Sequence, residues 1–305
     1  VYLFDLTGFF ISLLLSSVIA MIILIKRLRG SMGKVAIPNL KFDDVSKKFF
    51  YFGGVNFFLA IANLGAQYFQ RKLILDQMDL ASIGLLQAAV SLRVYSDIIG
   101  RSSGFYFYPK MSEELKAESR AQMINDYMLF SLLTYIPIAM CIIFFSKYIV
   151  LLLYSADFIQ LIPVLSWFII AEYFHNIERP LGQTIVGLAA LNVHAAVSLI
   201  ASILWVVVPV YFMSSFGIMS IAIANSLGSF SSMLIFSIFL KRRIGLIIEQ
   251  RNLIIALGGS IVLIIISLNT FTIIMKLVII LATLLVLFGM IAKEEKMKFK
   301  SYLKI

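Results

Sequence analysis

Apolar runs of about 20 residues recur along the whole of this 305-residue chain, and no other feature limits its fold as much. An α-helix rises about 1.5 Å per residue, so each such run is long enough to cross the roughly 30 Å hydrocarbon core of a bilayer. Hydrophobic residues make up 61% of the chain and charged ones 14%, against roughly 45–50% and 25% in soluble domains. A chain of that composition cannot cover itself with polar surface, so lipid is its solvent. Windows of about 19 residues place nine spans, at 3–25, 49–69, 81–107, 127–145, 161–186, 193–212, 217–240, 253–268 and 273–291. The expected fold is all-α, a polytopic transmembrane helix bundle of about nine spans. The first apolar run is too long for a signal peptide and ends in Lys26, Arg27 and Arg29, so it reads as a span. Because the sequence opens on Val1 and enters this run at once, it is read as a fragment or a processed chain.

The basic excess is a topology signal. If loops alternate between two sides, one side holds 19 of the 26 Lys and Arg: seven between Lys26 and Lys48, then Lys110, Lys116, Arg120, Lys241, Arg242, Arg243, Arg251 and five in the tail. The other side holds Arg71, Lys72 and Lys147. The positive-inside rule makes the first side cytoplasmic, which places the C-terminus there, and the loop charges suit anionic lipid headgroups. Nucleic acid is not an expected partner, because the interleaved aromatics and bases that single-strand binding needs are absent. Residues 42–51 mix charges with aromatics and suit a segment lying flat at the headgroups.

A charged side chain at the centre of a span costs roughly 2.5–3.5 kcal/mol on insertion scales, so it needs a partner or a wet cavity. Two spans carry several. The third has Gln87, Ser91, Arg93, Asp97 and Arg101, the last three spaced by four and thus on one slanting stripe. That stripe reads either as an internal salt-bridge ladder that cements the bundle or as a basic wall around an anionic ligand. The fifth has Glu172, His175, Asn176, Arg179 and Gln183 on one face, with Glu178 off it. Pro180 in the same span frees a backbone carbonyl and is a candidate hinge. Arg71, at the outer end of the second span, either snorkels to the headgroups or guards a cavity mouth.

Other chemistry has little to stand on. The single cysteine, Cys141, lies inside an apolar run and excludes an intramolecular disulfide. Glu172 and His175 have the i, i+3 spacing of metal ligands but no second histidine within reach, and His194 stands at a span end as a solvated side chain. No phosphate-binding loop, catalytic elbow or zinc signature is present. No metal and no cofactor is expected.

Three segments resemble a known family. The run RKLILDQMDLASIGLLQAAVSL from Arg71 to Leu92 resembles the first and second helices of the C-terminal lobe in polysaccharide flippases of the MOP superfamily. FYFYPKMSEE from Phe105 to Glu114 resembles the element that closes that second helix in O-antigen flippases of the Wzx type, and LLYSADFIQLIPVL from Leu152 to Leu165 is similar to the loop entering their next outward hairpin. The resemblance covers roughly 49–243. It implies a MOP/MATE-like lobe: residues 1–25 as the last helix of a truncated N-terminal lobe, 26–48 as a basic cytoplasmic linker, 49–240 as the six-helix C-terminal lobe, and 241–305 as an extra helix pair with a basic tail. The implied activity is alternating-access flipping of a polyprenyl-pyrophosphate-linked oligosaccharide, an O-antigen or other surface polysaccharide unit, across the bacterial inner membrane. Membrane lipids and polysaccharide polymerase or export machinery are the implied partners.

The residue chemistry agrees, because a pyrophosphate in a low-dielectric cavity needs cations that stay charged, and arginine does. Arg93, Arg101, Arg179, Gln183 and Gln87 are the candidate substrate-binding residues, Asp97, Glu172 and His175 the candidates for proton or cation coupling, and Arg71 a candidate for the cavity mouth. Three other readings compete. A MATE-like cation or drug antiporter would prefer acidic cavity residues. A membrane glycan polymerase or ligase would carry a large outer loop, and the longest here is about 15 residues. A structural scaffold would pair every buried charge internally.

Overall fold

The computed structural model describes residues 44–112, 116–268 and 271–289, with positions 15–16, 18–19 and 21–23. Two compact units divide the chain, Val1–Phe50 and Tyr51–Ile305. In the first, the described positions are helical. Most of the expected span at 3–25, the linker up to 43, and the tail from 290 lie outside the described residues.

The second unit contains most of α1 (Asp44–Gln77), then α2 (Leu80–Ser96), α3 (Ile98–Ser112), α4 (Ala117–Leu153), a short 3-10 turn (Ala156–Gln160), α5 (Leu161–Gly187), α6 (Leu191–Phe216), α7 (Met219–Ile244), α8 (Gln250–Leu268) and α9 (Ile273–Gly289). No strand occurs among the described residues. Six of these helices are long and apolar enough to cross a membrane, seven if α2 and α3 count as one bent span, and α9 adds a shorter apolar helix. The chain is thus a multi-pass helical membrane protein, with fewer full-length spans among the described residues than the nine expected.

Local chemistry explains the element ends. Asp79 caps α2: its Oδ1 accepts from the Ser82 backbone N–H at 2.8 Å, and its bonds from Ser82, the hydroxyl first and then the N–H, hold its carboxyl below the usual range. α7 ends at Gly245 with φ +69°, whose N–H donates to Lys241 O, while the Leu246 N–H donates to Leu240 O. That is the glycine-terminated cap of a helix, and Lys241, Arg242 and Arg243 in its last turn complement the helix dipole.

The continuous third span expected at 81–107 is corrected: it breaks at Asp97 into α2 and α3, which are bent by 51°. The Ser96 hydroxyl donates to the Arg93 carbonyl at 2.6 Å, and Gly100 follows one turn later. Serine and glycine are the usual causes of such a kink, and Ser96 here diverts a carbonyl from the helical ladder. No break occurs at Pro180, and α5 runs unbroken through it. α1 also runs further than expected, so Arg71 sits within the helix, about two turns before its end at Gln77.

α5 is the hub. It packs against α2, α3, α4, α6, α7 and α8, and its face of Leu165, Phe168, Ile169, Tyr173, Ile177 and Leu181 is buried. Polar bonds tie its neighbours: the Tyr173 hydroxyl donates to Ala256 O of α8 at 2.7 Å, and Tyr135 of α4 reaches both Ser96 and the Ile169 carbonyl. Asn125 of α4 accepts from the Glu249 N–H at 2.9 Å and donates to Ile247 O at 3.0 Å, fixing the segment that leads into α8. α1 is attached by side chains: Asn63 accepts from Ser202, Gln70 donates to Trp205 O, and the Tyr51 hydroxyl reaches Asn192.

Glycine lets α8 approach α4 and α5. A Cβ at Gly259 would lie 2.7 Å from the Tyr173 hydroxyl and 2.8 Å from Ile136 Cδ1, whereas one at Gly258 would meet nothing within 4 Å. Gly259→Leu is therefore expected to lower the unfolding temperature of the detergent-purified protein by several degrees, through an overpacking cost of about 1–3 kcal/mol. Gly258→Leu should leave it unchanged, and equal effects of the two substitutions would remove the close-approach argument.

Candidate functional site

The break at Asp97 turns its carboxylate inward, onto the polar face of α5. There Asp97, Glu172 and Arg179 are 1%, 2% and 8% exposed, which in an apolar bundle is tenable only if each finds a partner. Each does. Arg179 Nη2 lies 2.7 Å from the Asp97 carboxylate and 3.5 Å from Glu172 Oε1. Arg93 Nε donates to Glu172 Oε2 at 2.5 Å, and Arg101 Nε donates to Asp97 Oδ2 at 2.8 Å. Asn176 joins the set, accepting from Arg179 Nη1 at 3.2 Å and approaching Asp97 Oδ1 at 3.4 Å. Arg93 also donates to Asn225 of α7 at 3.2 Å.

The order is therefore Arg93, Glu172, Arg179, Asp97, Arg101, alternating in sign and crossing between α2–α3 and α5. Three guanidiniums against two carboxylates leave one net positive charge. The inner three members are buried, while the Arg93 and Arg101 side chains at the ends are 23% and 59% exposed. The i, i+4 ladder along one helix is half right: Asp97 pairs with Arg101, but Arg93 pairs across to α5 and not with Asp97. Gly100 makes the crossing possible, because a Cβ there would overlap Arg179 Nη1 and Asn176 Oδ1 and lie 2.8 Å from Asp97 Oδ1.

Two clefts open at the ends of this chain of charges. One, of about 220 Å³, is lined by Gln87 and Arg93 together with Arg71, whose Nη2 donates to Gln87 Oε1 at 3.2 Å. The other, of about 340 Å³, is lined by Arg101, Arg179 and Gln183 beside Tyr108 and Pro109. Along α5 they sit near Phe168 and near Gln183, 15 residues or roughly 22 Å apart at 1.5 Å per residue, with Glu172 to Arg179 between them. Gln183 Oε1 is buried without a hydrogen-bond partner among the described residues, an unused acceptor at the second cleft.

His175 stands apart from the network. Its Nδ1 lies 3.0 Å from Glu178 Oε2, so the carboxylate expected to point elsewhere is its partner. Glu172 and His175 have different neighbours, and no three His, Cys, Asp or Glu converge as a metal site among the described residues. His194 is half-buried and stacked on Phe236 at 6.2 Å, not solvated as expected. Sequence reasoning passed over Gln67, Gln70, Trp205 and Asn225, which line the first cleft. Amides inside the apolar runs of α1 and α7 were the signal available.

No family model matches the chain, and no curated protein matches it. Among solved structures, it is similar to the lipid II flippase MurJ in an inward closed conformation, with a TM-score of 0.63 and 17% identity over 83% of this chain. The chain spans 57% of that structure's length. The likeness is one of fold: this chain shares the helical arrangement of that structure.

Asp97 holds two guanidiniums, one of them buried. Asp97→Asn should cost about 3–5 kcal/mol, the usual penalty for stranding one partner of a buried ion pair. Adding Arg179→Gln should restore part of that loss, because no buried charge is then left unpaired and Arg101 is exposed enough to be solvated. Denaturation of the purified proteins in detergent measures both, and additive losses in the double variant would show that the pair is not coupled.

Proposed function

We infer that the chain belongs to a transporter that flips a polyprenyl-pyrophosphate-linked oligosaccharide, the precursor of a surface polysaccharide, across the bacterial inner membrane by alternating access. The observation that carries this reading is the buried chain of charges with its surplus positive charge and its arginine ends open to two clefts. Arginines stay ionised in an apolar surrounding and present paired donors to phosphate oxygens, so a pyrophosphate can replace a carboxylate ligand without leaving the guanidinium unpaired. The likeness of fold to a flippase supports the same activity.

In this reading Arg93, Arg101 and Arg179 hold the pyrophosphate, with Gln87 and Gln183 as neutral donors and acceptors beside them. Asp97 and Glu172, released from arginine when the anion binds, are the carboxylates able to take up a proton or cation, with the His175–Glu178 pair nearby. Residues 49–240 act as one transport lobe, 26–48 as the linker to another, and the C-terminal tail lies in the cytoplasm. Membrane lipids surround the lobe, and polymerase or export machinery receives the product.

The surplus charge favours this reading over cation or drug export, since a net positive network repels cationic cargo. Intact protein reconstituted in vesicles with a fluorescent polyprenyl-pyrophosphate saccharide provides the test. Arg93→Ala with Arg101→Ala should slow flipping at least about tenfold, the loss expected when charge-assisted bonds are removed, while insertion and yield stay normal. Flipping at the wild-type rate by that variant would overturn the assignment.

A further inference from the structure

The first cleft carries more than its share of the charge network requires. Beside Arg93, already neutralised by Glu172, it is lined by Gln67, Gln70, Arg71, Gln87, Trp205 and Asn225, drawn from α1, α2, α6 and α7. Among the described residues Arg71 has no carboxylate partner. Its guanidinium donates to the Gln87 amide oxygen at 3.2 Å, which holds it over the cleft. Trp205 packs against Gly228, and its indole N–H is buried with no acceptor among the described residues.

We propose that this cleft is an acidic-sugar subsite, in which Arg71 binds the carboxylate of one sugar unit and the surrounding amides bind its hydroxyl groups. The proposal rests on the transport reading for its source, a lipid-linked glycan, and adds to it that this glycan carries a carboxylated sugar. Planar paired donors on Arg71 match a carboxylate. Gln67, Gln70, Gln87 and Asn225 present donors and acceptors on separate atoms, which is what the hydroxyls of a sugar ring require, and the apolar flanks of Phe168 and Ile221 suit a ring face. A volume of about 220 Å³ equals the liquid volume of about seven waters, the scale of one sugar unit and not of an oligosaccharide. The pyrophosphate would then lie at the ion-pair network and beyond it, toward Arg101 and Arg179.

Trp205 is also the reporter. With Trp167→Phe it becomes the sole tryptophan of the two, and its fluorescence in the intact, detergent-purified protein is titrated with glucuronate, glucose, inorganic phosphate and phosphatidylglycerol in mixed micelles. Glucuronate is expected to give a saturable change, with Kd about tenfold lower than for each of the other three. Arg71→Gln should raise the glucuronate Kd about tenfold, and Lys72→Gln, its exposed neighbour outside the cleft, should not. If Arg71→Gln does not fold, Gln87→Leu, which releases Arg71 from the cleft, is expected to raise Kd as well. Equal binding of phosphate or of phosphatidylglycerol would make this a plain anion or headgroup site and overturn the proposal, as would equal binding of glucose or no saturable response. The free sugar has neither pyrophosphate nor lipid, so such a failure leaves transport itself to be tested separately, by the flipping assay of Arg93 and Arg101.

Discussion

Two carboxylates and a guanidinium packed inside an apolar bundle must satisfy one another, and much of the arrangement at the centre of this protein follows from that need. Asp97, Glu172 and Arg179 have almost no access to solvent, so the surrounding helices have to deliver partners to them at bonding distance. The kink after α2 brings the Asp97 carboxylate to α5. The bare backbone at Gly100 leaves room for Arg179 and Asn176 against α3. Asn225 on α7 takes the remaining reach of Arg93. Replacing the set by apolar side chains would often cost little in stability, so stability alone does not account for it.

The geometry of that set also explains why it has two faces. Its inner members are saturated by each other, and its ends are arginines that still have free donors, one at each cleft. An anion arriving at either end competes with a carboxylate for the same guanidinium. When Arg93 takes up an external anion, Glu172 keeps only its longer contact to Arg179 at 3.5 Å, and the balance between Glu172 and Asp97 around Arg179 shifts. The ion pairs thus form a contiguous physical link between the two clefts.

Much of the fold was legible in the sequence because its governing signal, apolar length, is strong and repeated. The spans from α4 to α8 stand where the hydropathy placed them: α4 is extended by two turns or more at each end, and the ends of α5 to α8 agree to within about four residues. What the sequence concealed is tertiary. The stripe Arg93, Asp97, Arg101 has perfect helical spacing, yet the helix breaks at its centre, because the Ser96 hydroxyl captures a carbonyl and no proline announces the kink. Spacing along one helix also could not say that Arg93 prefers Glu172, 79 positions away, to Asp97, four away. Four of the five polar residues chosen on α5, Glu172, Asn176, Arg179 and Gln183, lie at the charge network or the cleft beside it, for the same reason they were noticed, namely that lipid tolerates none of them. His175 is the exception, since its partner Glu178 lay off the stripe.

The residues passed over are instructive about where such readings fail. Gln67, Gln70 and Asn225 are uncharged, so each alone is a small violation of an apolar run, and single amides in membrane helices commonly bond to a neighbour's backbone. Gln70 does so, donating to Trp205 O. Only the bundle shows that these amides and Arg71 converge on one cleft from different helices. Convergence is the property that separates a binding surface from a set of satisfied side chains. The same test applied to the second cleft gives Arg101, Arg179 and the unused oxygen of Gln183, a cationic pair with one acceptor beside it. That is chemistry for a phosphate with a hydroxyl-bearing group attached, and it differs from the amide-rich surface at the other end. Two clefts of different chemistry, joined by one charge network, fit a ligand that is itself unlike at its two ends.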